Sequence, residues 1–390
     1  MKKPKILYVT LYLPIKGIHG GGNRMFEQIK YLSAKYDIHL ISFVRGWEEN
    51  GVGPLKQFCA GINTVSVKEK RSKSYSFTKP GFIKNYYSRE MDLLIQEKTN
   101  GVDFDIAQFE YLPMAQYSDG LKAKVVSVLV EHQLGYMCLK KEMDAEKDIL
   151  KKIALFFRHK RLLKYESDTF EKFDRVIFIS GSEQACARRS RSFVSPMGVD
   201  TGYFRPSGQT EEDFDLIYIG NFDSFQNEDS MVYFAKYIWP LLKKKRPGIN
   251  MKIIGIGSKE KLTSLRGMDG IDIMGHVEDI RGYLSRAKVF VVPARIGGGM
   301  RGKLLEAMSM GKPVVSTSVG AEGYSGSISQ AIKIADTPGE FADKTVGLLS
   351  DNAMREGMGC VARQEAEKGY SWEHIFSEMD MFYEGLLIHG

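Results

Sequence analysis

The stretch Val291–Val315, VVPARIGGGMRGKLLEAMSMGKPVV, holds the pattern from which the rest of the chain is read. Val291-Val292-Pro293 closes a buried strand, and three glycines, Gly297, Gly298 and Gly299, follow as a loop. A helix runs from about Met300 to its stop at Gly311, and Val314-Val315 opens another strand. Strand, loop, helix and strand in that order is the unit of a parallel α/β sheet. The same loop has chemistry. Glycines let backbone approach a ligand closely, and a helix start favours an anion such as phosphate. Arg301 and Lys303 add two full positive charges, and Glu306 follows Lys303 at nearly one turn, so both can face one cleft. A carboxylate there suits a sugar or ribose diol, which donates two hydrogen bonds to it. Helix packing accounts for Leu304, Leu305, Ala307 and Met308, but not for three glycines followed by Arg, Lys and Glu.

Outward from this stretch, short apolar runs alternate with helical patterns in both directions. In the front half the strand readings are Lys5–Thr10, Ile38–Phe43, Val65–Val67, Ile106–Phe109, Val125–Val130 and Arg175–Ser180. Helical patterns lie between them, notably Arg24–Lys35 and Lys151–Phe173. The series restarts with strands at Asp215–Gly220, Met251–Ile256, Ile271–Met274, Val289–Pro293 and Val314–Thr317. Helices are expected over Ser230–Lys245, Lys259–Arg266, Asp279–Ala287 and Arg301–Met310. Between the two series, Asp200–Glu212 has the composition of a linker, so the boundary is placed near residue 205. The expected architecture is two Rossmann-like doubly wound domains, with the site in the cleft between the carboxyl ends of their sheets.

A chain of 390 residues has room for two such cores. Four cysteines, at 59, 138, 186 and 360, form no CxxC, which excludes a disulfide framework and a zinc ribbon. Residues 1–200 hold 33 Lys+Arg against 23 Asp+Glu, and residues 201–390 hold 22 against 25, so a basic half precedes a mildly acidic one. Lys2, Lys3 and Lys5 ahead of the apolar run Ile6–Ile15 imitate a signal peptide, but Pro14 and Lys16 interrupt the run. The expectation is a cytoplasmic protein without a membrane span. Two segments, Lys68–Arg89 and Lys151–Lys164, mix basic and aromatic residues, and they raise the prospect of peripheral contact with an anionic membrane. An ordinary loop and an amphipathic helix are the plain alternatives. No nucleic-acid module is recognisable.

The front half has its own glycine string, His19-Gly20-Gly21-Gly22-Asn23-Arg24, read as a loop opening a helix, with Gly21 and Gly22 near a donor. It is not GxGxxG, which disfavours a nicotinamide cofactor. His132, in Val130-Glu131-His132, ends a strand, and Glu110 and Glu131 end neighbouring strands. Asp103-Phe104-Asp105 and Asp213-Phe214-Asp215 could suggest a metal-dependent transferase, but both precede strands instead of ending them.

With these residues in place, the chain resembles the retaining family 4 glycosyltransferases of the GT-B fold. Their signature is a Gly-containing loop, then Glu-Ala-Met, then Gly-x-Pro-Val-Val; here these are Gly297–Gly299, Glu306-Ala307-Met308 and Gly311-Lys312-Pro313-Val314-Val315. The likeness extends to Ser195-Pro196-Met197-Gly198-Val199-Asp200, Phe204-Arg205-Pro206, Ile254-Gly255-Ile256-Gly257, Gly275-His276-Val277 and Tyr370-Ser371-Trp372. It implies an acceptor-binding first domain (1–205, joined by a returning helix 372–390) and a nucleotide-sugar domain (206–371). It implies transfer of a sugar from a nucleoside diphosphate to a glycan or lipid-linked acceptor in surface polysaccharide or glycolipid synthesis, with no metal or other cofactor. Glu306 then meets the ribose, His276 and Val277 flank the base, and Asn221, Gly298, Gly299 and Met300 line the donor. Arg301 and Lys303 hold the diphosphate, His132 reaches the donor sugar, and Glu110 and Glu131 meet acceptor hydroxyls. Two departures stand out. Gly298 occupies the place of a second family glutamate, and the loop Gly220–Asn227 lacks the family's Arg and Lys. A silent nucleotide-sugar-binding partner and a GT-B epimerase are the alternatives.

Overall fold

The computed structural model describes residues 3–17, 20–67, 79–187, 191–206, 208, 211–324 and 330–389. His19 and residues 68–78 of the first basic-aromatic segment lie outside them. The chain divides into two compact units, 1–196 with 376–390, and 197–375.

The first unit is built on seven parallel strands: β1 (Lys5–Thr10), β2 (Asp37–Val44), β3 (Gly61–Ser66), β4 (Ile106–Glu110), β5 (Val126–Glu131), β6 (Arg175–Phe178) and β7 (Ser192–Val194). Their order is β3-β2-β1-β4-β5-β6-β7. Helices on both faces make the central strands continuous apolar runs, because neither face meets water. Ile6 to Val9 and Val128 to Val130 are fully buried.

The second unit repeats the plan with β8 (Phe214–Ile219), β9 (Met251–Ile254), β10 (Ile271–Gly275), β11 (Ala287–Val292), β12 (Val314–Ser316) and β13 (Ile332–Ile334). The order is β10-β9-β8-β11-β12-β13, all parallel. β7 and β13 escape the sequence reading because each is a three-residue edge strand, too short to show a period.

Other readings change: the strand expected at Val65–Val67 is Gly61–Ser66, and the helix expected over Lys259–Arg266 breaks into Ser258–Lys261 and a 3-10 turn at Thr263–Leu265. The helix expected over Ser230–Lys245 runs as Phe225–Tyr233, a π turn Phe234–Ile238 and Trp239–Lys245. Pro240 sits in the first turn of the last piece and has no N–H for the ladder. The helix expected at Arg24–Lys35 starts four residues earlier, as Gly20–Leu32. The chain leaves the first unit at residue 196, earlier than the linker composition suggests. Ser195 is tied to Arg24 of the first unit through its Oγ at 2.9 Å. Val199 is already paired with the second unit, accepting from Trp372 N at 3.2 Å and donating to Tyr370 O at 2.8 Å. The last helix, Trp372–His389, begins in the second unit and ends in the first.

Candidate functional site

In a doubly wound sheet, ligands gather where strand order reverses, outside the carboxyl ends of the two strands that part company. In the second unit these are β8 and β11. The loop after β11 is Pro293–Arg301, in which Gly297 (φ 105°) and Gly299 (φ 75°) adopt a conformation that a side chain resists. The helix Gly302–Ser309 follows. Gly298 is half-buried, and Met300 is buried.

The side chains expected to meet a diphosphate are arranged otherwise. Arg301 does not present an open fork. Its Nη1 donates to Val319 O (2.6 Å) and Gly320 O (3.2 Å), and its Nη2 to Ile296 O (3.4 Å). Carbonyls in these irregular turns have no ladder partner, and the guanidinium supplies one. Tyr324 OH in turn donates to Arg301 O at 2.8 Å. Burial lowers the Arg301 pKa, opposed by Tyr218, Tyr324 and Glu322. Lys303 is not an unpaired cation either. Its Nζ lies 3.0 Å from Glu306 Oε1 and 2.8 Å from Oε2, with the carboxylate buried and the ammonium half-exposed. The expected pair of open cations is therefore one structural guanidinium and one ion pair. Glu306 is placed on the helix after the glycine loop, held by its partner, with lone pairs remaining.

The loop after β8 is held by its own side chains. Asn227 accepts from Tyr218 OH (2.8 Å) and donates to Asn221 O (2.7 Å), while Asn221 Oδ1 accepts from Asp223 N (3.0 Å). Asn221 thus shapes the loop with its carbonyl end. The β9 loop touches the β8 loop so closely that a Cβ on Gly255 would fall on Gly220 O. Beyond β10, His276 is exposed and Val277 half-buried. Lys259 lies against Gly275, its Cε 3.0 Å from where a Cβ there would be. The place of Lys259 depends on Gly275 having no side chain.

In the first unit the order reverses between β1 and β4. Tyr12 follows β1 and Tyr111 follows β4, and their hydroxyls meet in a very short contact. A Cβ on Gly21 would strike both hydroxyls, and one on Gly22 would meet Ile15 O at 3.0 Å. The glycines are thus the first turn of a helix packed beneath two tyrosines, not a loop before it. Tyr111 has φ 75°, alone among the non-glycine described residues, and its ring stacks on His132 at 3.8 Å. Such a conformation costs on the order of 1–3 kcal/mol and persists only where its surroundings enforce it.

His132 Nε2 lies 2.6 Å from Glu110 Oε2, and Tyr8 OH donates to Glu110 Oε1 at 2.6 Å. Gln108 also donates to that oxygen. Burial pushes the Glu110 pKa up, but the His132 hydrogen bond and charge outweigh it and leave it lowered. Burial lowers the His132 pKa against the pull of Glu110. A carboxylate oxygen can only accept, so Nε2 carries the proton that faces Glu110, and in the neutral ring Nδ1 keeps the lone pair. Glu110 is fully buried with both oxygens engaged, which removes it from direct contact with acceptor hydroxyls.

Glu131 also turns inward. It is 3% exposed, and its Oε2 has no hydrogen-bond partner among the described residues. Burial raises its pKa well above the ordinary value, helped by Glu166, Glu183 and Glu110 and opposed by the Gln133 N–H. The strand end at Glu131 is covered, so its side chain lies in the core and not at an open surface. Glu166 accepts from Gly135 N (2.8 Å) and Tyr136 N (3.3 Å), and Glu183 from Leu134 N (3.1 Å), so both satisfy the start of the helix Gly135–Ala145. The two Asp-x-Asp strings are also structural. Asp105 accepts from Lys5 N at 2.7 Å, and Asp215 pairs with Lys288 at 2.9 Å.

Residues 213–351 match the family model described as glycosyl transferases group 1. Over 96% of this chain and 98% of its own, an uncharacterized 44.6 kDa protein of the cps region of Klebsiella pneumoniae is 22% identical. The D-inositol 3-phosphate glycosyltransferase of Arthrobacter is 28% identical over 46% of this chain, and this chain matches 47% of its length. Among solved structures, a sucrose-phosphate synthase from Thermosynechococcus elongatus superimposes with a TM-score of 0.74 at 16% identity, covering 100% of both chains. HepE of Anabaena, solved with UDP and glucose, gives a TM-score of 0.70 at 12% identity over 98% of this chain and 100% of its own.

Proposed function

We propose that this chain, which has the GT-B fold, is a group 1 glycosyltransferase that moves a sugar from a nucleoside diphosphate donor to a glycan or lipid-linked acceptor, with retention and without a metal. The observation that carries the donor assignment is Glu306. It is a buried carboxylate on the helix that follows the glycine loop, fixed in place by Lys303. A ribose diol donates to its remaining lone pairs without displacing the lysine. Lys303 acts through Glu306, and Arg301 holds the loop that receives the diphosphate.

The Arg301 charge still stabilises the departing diphosphate at longer range. At an effective dielectric near 20, a cation ~8 Å away contributes about 2 kcal/mol, on the order of thirtyfold in rate. In the retaining reaction the leaving phosphate takes the acceptor proton as the acceptor oxygen attacks the same face of the anomeric carbon. No protein nucleophile is then required. In the first unit, the lone pair on His132 Nδ1 is an acceptor for a sugar hydroxyl. Surface polysaccharide synthesis is the setting, in keeping with the cps-region protein from Klebsiella.

The test is a thermal-shift panel of nucleoside diphosphates and their sugars. A ligand at 100 times its Kd adds about 2.7 kcal/mol of stability. Glu306→Gln is expected to weaken the selected nucleotide by about tenfold or more, the worth of a charge-assisted hydrogen bond. Unchanged affinity would remove Glu306 from the site. Binding without transfer to any acceptor would favour a silent binding partner, and sugar epimerisation without an acceptor would favour an epimerase.

A further inference from the structure

The helix Ile149–Phe170 carries two apolar faces. Leu155, His159, Leu162, Glu166, Thr169 and Phe170 are buried against the first unit. At about 100° per residue they occupy one sector of the helix. Ile149 (73% exposed), Leu150 (79%), Ile153 (50%), Phe156 (43%) and Phe157 (67%) fall in a second sector about 120° wide, its centre about 150° from that of the first. These five account for a third of the exposed large hydrophobic residues among those described. An amphipathic helix of a globular protein needs only the first stripe, so packing leaves the second without a purpose.

The second stripe continues into charge. Lys160 and Lys164 lie in the same sector one and two turns further on, and Lys160 Nζ stands over the Phe156 ring at 5.7 Å. From Ile149 to Lys164 the helix holds six Lys and Arg and no acidic residue. Its basic half borders a hollow of about 700 Å³ lined by Lys79, Lys160, Arg161, Lys164 and Lys172 against Asp119 and Asp168. Arg161 Nη2 donates to Lys79 O at 2.8 Å, joining the 79–80 segment to the helix.

We propose that this outward face docks the first unit onto an anionic lipid bilayer, Leu150, Ile153 and Phe157 entering the acyl boundary while Lys160, Lys164 and the basic hollow receive headgroup phosphates. Charge complementarity selects the occupant. A neutral protein groove would match the apolar stripe but offer nothing to a hollow that holds five Lys and Arg against two Asp, whereas an anionic interface satisfies both. Six charges within sixteen residues exclude a span, and among the described residues no helix is long and apolar enough to cross a membrane. The contact is therefore with the surface. It goes beyond the transferase reading, and its readout is vesicle binding, which transfers no sugar.

Flotation of the full chain with phosphatidylcholine vesicles, with and without phosphatidylglycerol, tests it. Binding is expected only with phosphatidylglycerol, weakening as salt rises. Leu150→Ser with Phe157→Ser, and separately Lys160→Glu with Lys164→Glu, should each lower the apparent affinity at least about 25-fold, from roughly fivefold per charge or exposed apolar side chain. All four side chains are exposed, so melting temperature and nucleotide-induced stabilisation should not move. Equal binding to neutral vesicles, no binding to anionic ones, or binding retained in both double variants would overturn the proposal. So would a dimeric wild type whose mass halves in Leu150→Ser/Phe157→Ser, because the stripe would then cover a second copy.

Discussion

Arg301 and His132 are each fixed by a neighbour, and that changes what their removal should do. Arg301→Ala takes away a charge and three carbonyl partners together, whereas Arg301→Lys keeps the charge and cannot reproduce the forked donation. If loop support dominates, kcat in Arg301→Lys should fall nearly as far as in Arg301→Ala, with a lowered melting temperature in both. A lysine variant at near wild-type kcat would instead make the field of the charge the main effect. Glu110→Gln is a sharper probe of His132. The amide can turn its N–H toward Nε2 and favour the other tautomer, so kcat should drop by about tenfold or more while nucleotide affinity stays constant. The residue types at 301, 303 and 306 were legible in the sequence as a cationic, carboxylate-bearing cluster. That Lys303 belongs to Glu306 and Arg301 to a turn at Val319 was not, because the second is set by chain folding between residues 18 apart. Glu110 and Glu131 show the same limit. Both end strands, but the sequence does not say which strand ends are covered.

At the scale of the element, the glycine string before Arg24 was read as an open loop and proves to be a first helical turn beneath Tyr12 and Tyr111. Gly21 has an ordinary helical conformation, so the demand for glycine there is spatial. Gly21→Ala should cost about 1–3 kcal/mol through overpacking. Tyr111→Phe, which removes the struck hydroxyl, should recover part of that loss, giving a favourable coupling in a double-mutant cycle measured by urea denaturation. Additive costs would contradict the contact. Strand positions were recoverable because a sheet covered on both faces writes itself as apolar runs, as in Ile6–Val9. The break at Pro240 was equally visible in sequence, yet a proline near the start of a helical turn does not by itself announce a π turn upstream.

At the scale of the molecule, the buried acids Glu131 and Glu166 make stability depend on pH. Burial raises the Glu166 pKa from 4.5 to about 8. The folded state therefore holds a proton that the unfolded chain releases, so this contribution is present below pH 4.5 and is lost as pH rises through 8. Wild-type melting temperature should decline between about pH 5 and 8 on this account, and Glu166→Gln, which cannot ionise, should decline less over that window. Equal slopes would show that Glu166 does not titrate there. Deletion of residues 376–390 removes Phe376, Met379, Tyr383 and Leu386, all buried, and the Tyr383 hydroxyl partner of Gln28. At roughly 1.5–3 kcal/mol per buried side chain, the loss rivals the whole stability of a domain. The first unit should then fail to fold, as read by loss of its cooperative melting transition.

The chain enters the second unit at 197 and leaves it at 375, and Val199 and Ser371 bridge there as neighbours. One unit is therefore an insertion within the other, with its two ends already adjacent. On a ribosome, the inserted unit emerges whole while its host still lacks its final fifteen residues, so the order of synthesis imposes an order of maturation. The glycine-loop module can close on its own, and the lysine-rich module must wait for the last helix to be released before Tyr383 completes its core.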